Sequence, residues 1–127
     1  MTVTSEAWRP QRVVVCPEVE LPPGARTLLQ HGRHQIAVFN VDGRLYAVRN
    51  RCPHRGGPLC HGRIGGTRLP SDSLQYEWGM AGQVLTCPWH GWQYELGSGQ
   101  TLFDPTVRVP VYRVAVEEDQ IAVYLPA

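Results

Sequence analysis

The sequence contains no lysine, so all twelve of its basic residues are arginine, and with a net charge of +1 it has no surplus of positive charge for holding polyanions in general. Nor does it contain any run near the roughly 20 apolar residues that a membrane-crossing helix needs. The opening "MTVTSEAWRPQRVVV" has no basic region ahead of an apolar stretch, so the expected location is the cytoplasm. Cysteine is scarce, at four residues. In a reducing compartment four cysteines are poor material for two disulfides and better material for a metal or redox site. Helical periodicity is missing as well: apolar residues come in short or alternating runs, broken by 13 glycines and 11 prolines. Low-complexity segments and nucleic-acid-binding elements are also absent.

What remains is an ordinary globular composition, 43% hydrophobic and 18% charged, in 127 residues. That length fits a single domain over 1–127, large enough to bury a core and too small for a multidomain enzyme. "HQIAVFNVDGRLYAVRN" (34–50) reads as two strands joined through Asp42-Gly43, a strong hairpin signal. "QVLTC" (83–87) with "WQYEL" (92–96) reads as a second hairpin, and "VYRVAVEEDQIAVYL" (111–125), turning at Glu118-Asp119, as a third. Runs at 11–16 and 26–29 add strands. The expected fold is all-β, an antiparallel sandwich or small barrel. The Gly, Ser and Pro-rich stretch 63–83 reads as a long surface excursion.

The chemistry is concentrated in two loops. "RNRCPHRGGPLCHG" (49–62) carries Cys52 and His54, and "LTCPWHGWQYELGSG" (85–99) carries Cys87 and His90. Each loop offers one soft thiolate and one borderline nitrogen, a set that suits zinc or an iron–sulfur cluster. Zinc fingers usually pair like with like on a helix turn, whereas here each loop mixes the types and neither reads as helical. A binuclear cluster clamped from two sides explains the mixture, with a structural zinc module as the alternative.

"CPHRGGPL" and "CPWHGWQYE" resemble the two cluster-binding loops of Rieske [2Fe-2S] proteins, and the strand pattern is similar to the Rieske fold with its two-loop cluster-binding subdomain. The resemblance implies a [2Fe-2S] cofactor with Cys52 and Cys87 on one iron, His54 and His90 on the other. It also places Gly57, Pro58, Trp89, Trp92 and Tyr94 around the cluster. Two ferric ions, two sulfides and two thiolates carry no net charge, whereas four thiolates would leave a dianion; histidine ligation therefore raises the potential, to about −150 to +300 mV across the class. The respiratory type has an extra cysteine pair at positions matching Gly57 and Trp89 and a serine matching Trp92. Their replacement here, with Tyr94 retained, resembles the low-potential oxygenase and ferredoxin type.

From Gly43 to Ser71 there are arginines at 44, 49, 51, 55, 63 and 68 and no acid. They read either as a solvated face or, through Arg51 and Arg55, as a docking patch for a redox partner. Cys60 and His61 read as bystanders and Cys16 as a buried small hydrophobe. His31 and His34 read as loop histidines, the alternative being a mononuclear iron site completed by an acid. The implied function is that of an electron carrier without catalytic residues, moving electrons from a reductase to an oxygenase or similar acceptor. It expects no nucleic acid, membrane or small-molecule substrate as partner. A small Rieske subunit of a larger oxidoreductase, of the assimilatory nitrite reductase kind, is the rival.

Overall fold

The computed structural model describes residues 11–53, 56–69, 77–89, 91–102 and 106–125. His54, Arg55 and His90 therefore lie outside the described residues. The strands are β1 (Gln11–Pro17), β2 (Arg26–His31), β3 (His34–Val41), β4 (Arg44–Arg49), β5 (Arg63–Leu69), β6 (Glu77–Thr86), β7 (Gln93–Glu95), β8 (Val111–Glu117) and β9 (Gln120–Leu125). Among the described residues the only helical pieces are single 3-10 turns at Glu18–Glu20 and Leu59–His61. Six strands form one antiparallel, nearly closed barrel-like sheet in the order β1-β9-β8-β4-β3-β2, and three form a second in the order β5-β6-β7. The fold is all-β, as the strand pattern implies.

Two hairpins turn where expected. Asp42 and Gly43 both take positive φ, at 53° and 92°, which matches the twist of β3 and β4, and Asn40 Oδ1 accepts from the Gly43 amide at 2.8 Å. Glu118 and Asp119 take φ of 52° and 63° between β8 and β9.

In the stretch 63–83, read from sequence as a surface excursion, residues 63–69 and 77–83 lie in the paired strands β5 and β6, with Arg63 opposite Thr86 and Leu69 opposite Glu77, and 70–76 lie outside the described residues. Cross-strand hydrogen bonding supplies the order that its composition does not advertise. Cys16 is half-buried rather than buried, at the irregularity where β1 shifts register against β9.

The β3–β4 hairpin positions the site. Ile36, Ala37, Val38 and Phe39 are all fully buried, because both faces of β3 are covered. Strand alternation sends Ile36 and Val38 into a core with Leu21, Ile121 and Val123. Ala37 and Phe39 face the other way, into a second core with Cys52, Leu59, Cys87 and Tyr94. Val48 joins this second core and Ala47 the first. The hairpin is thus a wall shared between the barrel core and the two loops.

Candidate metal centre

Both cysteine-bearing loops leave a strand and close on themselves in the same way. In the first, the Cys52 carbonyl accepts from the Gly56 amide at 2.7 Å, and the Cys52 amide donates to the Gly57 carbonyl at 2.8 Å. In the second, the Cys87 carbonyl accepts from the Gly91 amide at 3.0 Å, and the Cys87 amide donates to the Trp92 carbonyl at 2.8 Å. The fifth residue of each loop is a glycine with left-handed φ, 78° at Gly56 and 75° at Gly91, where a side chain would be strained. Each cysteine thus closes its loop at both ends, through its own carbonyl and its own amide.

The two loops abut. Cys52 and Cys87 are each 1% exposed and belong to one buried cluster. Gly57 separates them: a Cβ there would lie 2.7 Å from Cys87 Sγ and 3.2 Å from the Trp89 ring, so only glycine admits this approach. Pro58 follows in an extended conformation and begins the 3-10 turn Leu59–His61. The Trp89 ring lies over Gly57 and is 58% exposed, so it covers the loop while facing solvent. Trp92 is half-buried against the cluster core.

The Tyr94 hydroxyl sits 2.9 Å from Cys52 Sγ. Burial first, then the hydrogen bond to Cys52 and the charge of both thiol groups, holds its phenol well above the usual tyrosine range. The hydroxyl therefore keeps its proton and is placed to donate to the Cys52 sulfur if that sulfur is an anionic ligand.

Two residues that sequence reading passed over brace the first loop. Asn50 Oδ1 accepts from the Cys60 amide at 2.6 Å, and the Arg26 guanidinium donates to the carbonyls of Cys60 and Gly62 while lying 5.0 Å from the Phe39 ring centroid. Arg26 lies 34 residues from its nearer partner, a distance at which no local pattern signals contact. Cys60 is buried in the same core, and His61 is exposed. His31 and His34 face one another across the β2–β3 turn. None of the four cysteines is in a disulfide.

Two buried sulfurs from twin loops, pressed together across a glycine and approached by a protonated hydroxyl, fit a cluster held between the loops. The family model of the Rieske [2Fe-2S] domain matches residues 11–115. The chain belongs to the Rieske [2Fe-2S] family. Its cofactor is accordingly the Rieske-type [2Fe-2S] cluster. This Rieske chain is 29% identical, over 116 residues covering 91% of it and 94% of the relative, to the 3-phenylpropionate/cinnamic acid dioxygenase ferredoxin subunit of Shigella boydii serotype 4 (strain Sb227). The subunit of the same name from Escherichia coli (strain K12) matches to the same extent, 29% over 116 residues. Among solved structures, the Rieske fold here is similar to the ferredoxin of carbazole 1,9a-dioxygenase from Nocardioides aromaticivorans IC177, at TM-score 0.67 and 22% identity, covering 94% of this chain and 99% of that one. It is likewise similar to a protein assigned as the small subunit of an NADH-dependent nitrite reductase from Mycobacterium tuberculosis, at TM-score 0.70 and 26% identity, covering 93% and 97%. No helix among the described residues is long and apolar enough to cross a membrane.

Proposed function

We infer that the chain is a one-electron carrier, a Rieske ferredoxin that takes electrons from a reductase and passes them to an oxygenase or similar acceptor. The observation that carries this reading is the pair of abutting loops with buried Cys52 and Cys87, in a chain matched over most of its length by dioxygenase ferredoxin subunits. When bound, the cluster supplies a centre that accepts and releases a single electron. Cys52 and Cys87 would hold one iron, and His54 and His90 the other. Tyr94 would donate toward the Cys52 sulfur, Trp89 and Trp92 would limit water, and Gly57 and Pro58 would set the approach of the loops. Arg51, exposed and lying against Gly56, would meet the partner together with Arg55. The chain performs no catalysis itself in this scheme and works in the cytoplasm.

The test is iron and acid-labile sulfide analysis with electron paramagnetic resonance on protein purified without oxygen. The expected result is one [2Fe-2S] cluster per chain with a Rieske-type signal on reduction, lost in Cys87→Ser and kept in Cys60→Ser. Stoichiometric zinc without iron, or loss in Cys60→Ser alone, would overturn the assignment. The likeness to a nitrite reductase small subunit favours a second reading as a fixed subunit. Co-purification with a catalytic chain in constant stoichiometry would select it over a diffusible carrier.

A further inference from the structure

Beside the first cluster loop lies an open cleft of about 520 Å³, walled by the β2–β3 turn on one side and by the end of β4 on the other. Arg33 and His34 come from the turn, Arg49 from the last position of β4, and Arg51 from the chain entering the loop; among the described residues no acidic one lines the cleft. Among the described residues the only salt bridge is Arg12 with Glu117, so none of these three guanidiniums is paired with a described carboxylate. Arg49 stands out further. Its Nε is buried and has no hydrogen-bond partner, alone in this respect among the described side chains. A buried donor left unpaired is unfavourable, and a guanidinium fork is completed by the two oxygens of a carboxylate.

The cleft is also built rather than incidental. Gln30 Nε2 donates to the Gly32 carbonyl at 2.8 Å, which holds the turn that presents Arg33. Asn50 Nδ2 donates to Gln35 Oε1 at 3.2 Å while its Oδ1 takes the Cys60 amide, so the floor of the cleft is tied to the segment just after the cluster loop. Arg51 reaches over Gly56, its Nε 3.5 Å from where a Cβ would sit. The exposed Trp89 covers the neighbouring Gly57. Cleft and cluster loop therefore share one rim.

We propose that this cleft is a carboxylate-recognition site that seats an acidic segment of the redox partner, Arg33, Arg49 and Arg51 gripping its side chains while the partner's redox centre faces the cluster loops. The proposal rests on the carrier reading and adds to it the partner's chemistry and the residues that meet it. It commits to protein carboxylates because the three guanidiniums are spread over a groove open to solvent, suited to several carboxylates in sequence, rather than converging in a closed pocket sized for a single small anion.

The test is titration of the cluster-loaded protein with a hexaglutamate peptide, followed by calorimetry at low and high salt and checked against inorganic phosphate at matched ionic strength. Binding of the peptide should saturate, should weaken as salt screens it, and should fall about tenfold or more in Arg49→Gln/Arg51→Gln, the loss expected when bidentate contacts are removed. Arg33→Gln, on an exposed turn, should weaken binding without touching the loop and serves if the double variant loads cluster poorly. Saturable phosphate binding equal to that of the peptide would overturn the docking role in favour of a small-anion site. Absence of peptide binding by protein with an intact cluster spectrum would overturn the proposal while leaving the carrier reading standing; a protein that takes up no cluster would instead remove the carrier reading.

Discussion

Replacing Tyr94 with phenylalanine isolates the contribution of a single hydroxyl. The ring is 1% exposed and packed in the loop core, so phenylalanine keeps its place and only the 2.9 Å contact to Cys52 Sγ is lost. With Cys52 as an iron ligand its sulfur would be anionic and the centre would carry more negative charge when reduced, so an O–H donor would favour the reduced state. Hydrogen bonds to charged groups contribute about 1.5–3 kcal/mol, but only the part that differs between redox states moves the potential. Taking a third to a half of the bond as differential gives about 0.5–1.5 kcal/mol. For a one-electron couple, 59 mV corresponds to a tenfold change in equilibrium, so about 43 mV accompanies each kcal/mol. The potential of Tyr94→Phe should therefore fall by about 20–65 mV on these magnitudes. Voltammetry of the loaded protein at neutral pH measures it directly, and the raised phenol pKa ensures that the wild-type hydroxyl is protonated throughout. A potential that stays within about 10 mV of wild type or rises would refute the inference that Tyr94 donates preferentially to the reduced centre.

Gly57→Ala would place a Cβ 2.7 Å from Cys87 Sγ. Overpacking of this kind costs about 1–3 kcal/mol, so the variant should carry less iron and lose its visible absorbance to a chelator faster; wild-type iron content and loss rate would count against Gly57 as the spacer of the loops. Away from the site, the Glu117 carboxyl is held below the usual carboxylate range by the Tyr124 hydroxyl first and by Arg12 second. Its folded pKa is depressed, so its contribution is present above the unfolded pKa and is lost as pH falls through the folded value. Glu117→Gln should lower the thermal midpoint slightly at neutral pH, with the gap closing on acidification; a gap that is constant with pH would exclude this linkage.

How much of the fold can be read locally depends on where its determinants lie. The β3–β4 and β8–β9 turns are legible because Asp42-Gly43 and Glu118-Asp119 sit where two residues must both take positive φ. The β5–β6 pairing is not, because β5 is poor in apolar residues and becomes a strand only through partners such as Leu85, 21 positions from Ile64 (85 minus 64). Strand formation there is decided by tertiary pairing, which overrides weak intrinsic preference. The same limit hides Arg26 and Asn50, whose partners are carbonyls and an amide that carry no residue-type signature.

The site shows the opposite case, in which a pattern is present in the sequence but the wrong spacing draws the eye. Cysteine to histidine is two residues in one loop and three in the other, which makes the loops look merely alike. The backbone is built on a different repeat, Cys-Pro-x-x-Gly, at 52–56 and again at 87–91. The closing hydrogen bonds belong to that repeat, Gly56 to Cys52 and Gly91 to Cys87, with each glycine in the left-handed region. In that common frame, the third position is His54 in one loop and Trp89 in the other, and the fourth is Arg55 in one and His90 in the other. The frame fixes the two sulfurs equivalently, yet it assigns the histidines to different positions and leaves the remaining two to an aromatic cover and a cation. The loops are therefore alike in their closing hydrogen bonds and unequal in surface: the second presents the Trp89 indole to solvent, and the first, entered through Arg51 and flanked by the arginine cleft, presents positive charge. A partner approaching the centre would meet an apolar face on one side and a basic one on the other, and on the proposed docking this asymmetry would give a carrier with two similar loops one preferred orientation.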